Sequence, residues 1–200
     1  RLTVPAETGG PAVLLAHGAG AGQGHPFMAG LRERLAAAGH PTLTFDYPYM
    51  EAGRRAPDRM PTLLACHRAA LARLRSYGWP VVLAGRSMGG RMASHLAAEE
   101  SGVTALVVFG YPLVSPSTGE MRPTDHLSRT GMPMLFLSGS RDRLGPLDAL
   151  RPLVAGLPDA SLEVIEEGDH SFKVPMRTGL SPEDVLDRLA ALTVEWLRTR

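Results

Sequence analysis

Three polar residues stand at positions where covalent chemistry could be done: Ser87, Asp142 and His170. Ser87 is the centre of Gly85-Arg86-Ser87-Met88-Gly89, which is followed by Gly90. In a chain with 22 glycines a bare Gly-x-Ser-x-Gly is weak evidence. Its setting sharpens it, because the pattern directly follows the apolar run Pro80–Ala84 and precedes a helical stretch containing Met92 and Leu96. Strand, sharp turn and helix are what a nucleophile elbow requires, with glycines where a Cβ would clash. The plainer alternative is a tight turn carrying a chance serine. Asp142 follows the apolar run Met134–Leu137, and His170 follows a run ending near Ile165. Alone, the first reads as a solvated loop carboxylate and the second as one histidine among seven. His67 and His95 fall in helical segments and His40 and His126 in turns, so only His170 both follows a late strand and comes after a candidate acid. Three residues in the order Ser, Asp, His, each after its own strand, suit nucleophilic acyl transfer.

A fourth segment, His17-Gly18-Ala19-Gly20-Ala21-Gly22, follows the first apolar run. Read as a dinucleotide fingerprint it is broken, since Gln23 stands at the third glycine position. A loop of bare amides near Ser87 suits an oxyanion hole, with the N–H groups of Ala19 and Met88 as donors. His17 is expected to brace that loop rather than move protons. Such chemistry needs no metal or organic cofactor, so none is expected.

Positioning these groups takes a set of strands ending on one side. Short runs rich in Val, Leu and Phe occur at Ala12–Ala16, Thr42–Asp46, Val81–Ala84, Ala105–Phe109, Met134–Leu137 and Leu162–Ile165, most of them apolar without polar alternation. Continuous apolarity marks parallel strands covered on both faces. Helical stripes alternate with them: Leu64, His67, Leu71 and Leu74, then Leu147, Leu150 and Val154. The last helix opens with Ser181 as N-cap, Pro182 next and Glu183 and Asp184 in its first turn, with a stripe from Val185 to Trp196. The fold class is therefore α/β, a doubly wound, mostly parallel sheet with helices on both faces, where ligands bind beyond the carboxyl ends of the strands.

Composition bounds the rest. Two hundred residues without a linker or repeat suit a single domain over 1–200. The 22 glycines and 17 prolines make close to a fifth of the chain, yet 44% hydrophobic content argues against disorder. With 21 basic and 20 acidic residues, nothing favours nucleic acid or an anionic membrane as partner. No apolar run approaches the ~18–20 residues that span a bilayer. Cys66 is alone, so no internal disulfide is expected. With no signal-peptide pattern at its start, the chain is expected to be cytoplasmic, although it opens at Arg1 and a leader removed before that residue is not excluded.

Five segments carry a resemblance: HGAGAGQGHPFM (17–28), FDYPYMEAGRRAPD (45–58), GRSMGGRMAS (85–94), SGSRD (138–142) and GDHSF (168–172). Over essentially its whole length the chain resembles the α/β-hydrolase superfamily near the dienelactone hydrolases. It is more closely similar to small hydrolases related to testis-expressed protein 30. The resemblance implies the fold and a Ser87-His170-Asp142 triad but no substrate, and that group includes a chromatin-complex relative whose role need not be catalytic. The expected activity is cleavage of an ester or thioester of a small or extended acyl substrate. An amide-cleaving enzyme and a non-catalytic binding or scaffold protein are the alternatives.

Substrate choice has several candidates. Arg86 either draws an acidic substrate or pairs with a carboxylate behind the elbow, and the cost of an unpaired charge favours the second. Tyr47 is expected at the pocket rim, in a loop that also carries Arg54, Arg55 and Arg59, which meet either an anionic substrate or solvent. His25, Phe27 and Tyr111 are expected to supply pocket wall. Only about two dozen residues separate Phe109 from Met134, too few for a helical cap, so the site should be open. Oligomeric state is not legible.

Overall fold

The computed structural model describes residues 1–200. Seven strands, β1 (Leu2–Thr3), β2 (Ala12–Ala16), β3 (Thr42–Phe45), β4 (Val81–Arg86), β5 (Val103–Phe109), β6 (Met134–Gly139) and β7 (Ala160–Ile165), form one sheet. Their order is β1-β3-β2-β4-β5-β6-β7, and every pairing is parallel except that of β1 with β3. Six strands coincide with the expected runs to within a residue or two. The seventh, β1, is too short and polar to show a pattern and is held through its pairing with β3.

The six helices are α1 (Pro26–Ala37), α2 (Pro48–Glu51), α3 (Met60–Arg75), α4 (Met88–Ala97), α5 (Leu147–Ala155) and α6 (Pro182–Leu197). Strand side chains alternate between two cores, as the period of two demands. Ala12, Leu14 and Ala16 face one core with α3, α4 and α5, whereas Val13 and Leu15 face the other with α1 and α6. Covered on both sides, β2 is buried along its whole length. The capping expected at α6 is present: Ser181 Oγ accepts the Asp184 N–H at 3.1 Å, and the Asp184 carboxylate accepts the Ser181 N–H at 2.8 Å.

The chain runs outward from β2 to β3 and then returns to place β4 on the other side of β2. This reversal makes the carboxyl ends of β2 and β4 the topological switch point, the usual ligand position in such sheets. The loop after β2 and the turn after β4 meet there. Between β5 and β6, residues 110–133 hold one bridge between Val114 and Met121 and a single turn of 3-10 helix at Leu127–Arg129, so no cap domain covers the sheet.

Candidate active site

The turn after β4 is forced by contact. A Cβ on Gly85 would stand 2.4 Å from the Gly89 carbonyl carbon and the Gly90 nitrogen. A Cβ on Gly89 would stand 2.4 Å from the Ala16 carbonyl oxygen and 2.5 Å from that of His17. Only glycine lets strand, helix and neighbouring loop approach so closely. The turn drives Ser87 to φ 49°, ψ −115°, a left-handed conformation that costs a non-glycine residue about 1–3 kcal/mol. Packing of α4 maintains it: Met92, Ala93, Leu96 and Ala97 are buried in the core.

The three chemistry-bearing side chains meet in one line. Ser87 Oγ lies 2.8 Å from His170 Nε2. His170 Nδ1 lies 2.9 and 2.8 Å from the two oxygens of Asp142. Asp142 Oδ1 also accepts the N–H groups of Leu144, at 2.8 Å, and Gly145, at 3.0 Å. The acid is 3% exposed, and two backbone donors plus the imidazole supply the hydrogen bonds that its burial demands. A carboxylate can only accept, so Nδ1 carries the proton and Nε2 is left to accept from the serine hydroxyl. The loop that carries His170 is organised by Asp169, whose Oδ1 accepts the N–H groups of Ser171 and Lys173 at 2.7 and 2.9 Å.

The Gly-rich loop lies against this line. A Cβ on Gly18 would stand 3.5 Å from Ser87 Cβ. The N–H groups of Ala19 and Met88 have no acceptor within the protein, one being in an open loop and the other at the first position of α4. His17 holds the loop from behind and is fully buried. The Tyr47 N–H donates to its Nε2 at 3.1 Å, so its proton is on Nδ1, which donates to the Gly18 carbonyl at 2.8 Å. Burial depresses its basicity, and with Nε2 already accepting, the Asp46 carboxylate 3.7 Å away makes no ion pair with it.

Several expectations about substrate contact need correction. Tyr47 and Tyr111 are 0% exposed and form no pocket wall or rim. The Tyr47 hydroxyl is 3.2 Å from His67 Nδ1, and the Tyr111 hydroxyl accepts from Arg91 at 3.2 Å, so both rings are core residues whose polar tips are satisfied internally. Arg86 has no carboxylate partner behind the elbow; its guanidinium lies over the Phe27 ring, 4.8 Å from the centroid. Arg54 pairs with Asp58 at 2.7 Å, and Arg55 and Arg59 are exposed.

His25 and Phe27 line a cavity of about 430 Å³ between the start of α1, residues 171–176 and the start of α6, and none of Ser87, Asp142 and His170 is among its walls. His25 caps α1 by accepting the Phe27 N–H on Nδ1 at 3.2 Å. Phe27 stacks on Phe172, centroids 5.9 Å apart. The rest of this cavity, including Lys173, Val174 and Leu186, had no sequence signal, because the loop and α6 are joined only in space. No cluster of three or more His, Cys, Asp or Glu side chains is arranged to hold a metal ion. No helix is long and apolar enough to cross a membrane.

Known structures share this architecture. Dienelactone hydrolase from Anabaena variabilis aligns at 24% identity and TM-score 0.76, over 99% of this chain and 89% of that one. Est1E from Butyrivibrio proteoclasticus, solved with ferulic acid bound, aligns at 16% identity and TM-score 0.76, over 100% and 95%. A monoacylglycerol lipase from Paleococcus ferrophilus aligns at 19% identity and TM-score 0.72, over 97% of each chain. At these identities the likeness is one of fold. No curated protein matches the sequence. A family model described as alpha/beta hydrolase domain matches residues 9–198, so the chain belongs to the α/β-hydrolase family.

Proposed function

We propose that this hydrolase is a serine esterase or thioesterase in which Ser87 is the nucleophile, His170 the general base and acid, and Asp142 the residue that orients the imidazole. The reading rests on the unbroken hydrogen-bonded line from Ser87 Oγ through His170 to the buried Asp142. As Oγ bonds to the acyl carbon, its proton passes to His170 Nε2. The amides of Ala19 and Met88 hold the oxyanion, each worth roughly 3–4 kcal/mol by analogy with measured donors. Collapse of the intermediate breaks the bond to the leaving oxygen or sulfur, which takes the proton from His170. Water, deprotonated by the same histidine, then releases the acid and restores Ser87. The catalytic unit is one domain, and the substrate is a small molecule with an accessible carbonyl.

A fluorophosphonate probe should label the wild type on Ser87 and leave Ser87→Ala unlabelled. Folded wild-type protein that takes up no probe would overturn the reading. Turnover of 4-nitrophenyl acetate without turnover of a matched 4-nitroanilide separates ester from amide cleavage.

A further inference from the structure

Arg86 is the residue immediately before the nucleophile, and no carboxylate of the protein is in contact with its charge. Its guanidinium makes no hydrogen bond or ion pair and rests on the Phe27 ring. Its stem runs beside the Gly-rich loop, since a Cβ on Gly18 would be 3.9 Å from Arg86 Cγ. The acids around it are occupied. Asp169, whose field reaches it, accepts two backbone N–H groups on Oδ1. Glu183, at the far wall of the cavity, accepts from Arg34 at 2.6 Å. Partial burial lowers the basicity of Arg86, and the field of Asp169 offsets that cost only in part.

A second positive group, Lys173, and a neutral imidazole, His25, lie at the same place. His25 and Lys173 line the cavity whose wall is the Phe27 ring under Arg86. Burial, then the charges of Arg86 and Lys173, push the His25 imidazole below its usual range, so it stays neutral with Nδ1 accepting the Phe27 N–H and its proton on Nε2. The cavity beyond them is apolar, with Phe27, Phe172, Val174 and Leu186 among its walls. A guanidinium with free planar donors, backed by an aromatic face, suits a carboxylate or phosphate oxygen pair.

Resting on the hydrolase reading above, we propose that Arg86, supported by Lys173 and His25, is an anion-binding subsite, and that the substrate is an ester carrying a carboxylate on a short acyl chain. Arg86 is then a specificity-determining residue. It holds the anion beside Ser87 without touching the reacting carbonyl.

The test compares mono-4-nitrophenyl glutarate with 4-nitrophenyl valerate, which share leaving group and chain length but differ by one carboxylate. Wild-type kcat/KM should favour the glutarate ester at least tenfold, mainly through KM, with the preference shrinking as salt rises. The ratio should fall at least tenfold in Arg86→Gln and only partly in Arg86→Lys, which keeps the charge. It should hold in Arg198→Gln, which removes a charge beyond the opposite end of α6. An equal ratio in wild type and Arg86→Gln would overturn the subsite while leaving ester hydrolysis intact. Calorimetric binding of monoethyl glutarate to Ser87→Ala and to Ser87→Ala/Arg86→Gln gives a readout independent of turnover. Binding that depends on Arg86 supports the subsite even if neither ester is cleaved and only the hydrolase reading fails. Absent or Arg86-independent binding removes the subsite.

Discussion

At the scale of single residues, one side chain separates positioning from chemistry with unusual clarity. His17 uses both ring nitrogens on backbone groups, accepting from Tyr47 and donating to Gly18. It therefore has no free nitrogen for substrate, and its effect on reaction passes through the loop that carries the Ala19 amide. His17→Phe should leave the Tyr47 N–H buried without an acceptor, costing about 1–3 kcal/mol of stability. The same variant should lower kcat with little change in KM, because a displaced oxyanion donor is felt mainly in the transition state. Urea unfolding and steady-state kinetics on one preparation measure both. Asp142→Asn tests the other end of the line. Asparagine keeps an acceptor for Leu144 and Gly145, so the fold should survive. Its amide opposes the Nδ1–H tautomer of His170, and kcat should fall by about 10⁴ as in related triads. Activity within tenfold of wild type would remove Asp142 from the mechanism.

At the scale of elements, the glycines around Ser87 are not equivalent, and the contacts rank them. Gly89 admits no Cβ because two backbone carbonyl oxygens stand within 2.5 Å of where it would lie. Gly18 meets nothing closer than 3.4 Å and has no positive φ. Gly89→Ala should therefore lose about 3 kcal/mol or more, since backbone cannot move aside as a flexible side chain can. Gly18→Ala should stay within about 1 kcal/mol of wild type, because its Cβ would make only ordinary contacts. Thermal melts of the two variants decide it, and equal losses would contradict the ranking. The same elements show what was legible beforehand. β2, β4, β5 and β6 read clearly because burial on both faces leaves uninterrupted apolar runs, and the polar residue after each strand then follows from topology. α1 did not read, because the buried Arg32 interrupts the face formed by Phe27, Met28, Leu31 and Leu35. Tyr47 and Tyr111 were misplaced because strand-end tyrosines look alike in sequence whether they face substrate or His67 and Arg91. The partner of Arg86 was invisible because stacking on an aromatic ring leaves no charge pattern to find.

At the scale of the whole molecule, five histidines with depressed basicity couple the fold to pH. Burial lowers His17, His25 and His95, while His67 falls to about 3 and His126 to about 4. These are spread through the structure: His67 is sealed under Tyr47, and His126 stacks on His95 with centroids 3.6 Å apart and contacts Ser94 at 2.9 Å. His67 and His126 stay neutral in the native state well below the pH at which they protonate in the unfolded chain, and His17, His25 and His95 are shifted in the same direction. Between about pH 6.5 and 5 the unfolded state therefore binds more protons, and stability must fall as pH falls. Above about 7 both states are neutral at these sites and the dependence should vanish. The slope counts the histidines, at about 1.4 kcal/mol per pH unit for each one fully charged when unfolded and neutral when native. His126→Gln, which keeps a polar group for Ser94, should flatten the slope by about one proton without abolishing it, because the other four remain. Urea titrations at pH 7.5, 6.5, 5.5 and 5.0 on both proteins measure this. Identical slopes would mean that His126 is protonated in the native state after all. In that case the stacked His95–His126 pair would have to open as pH falls.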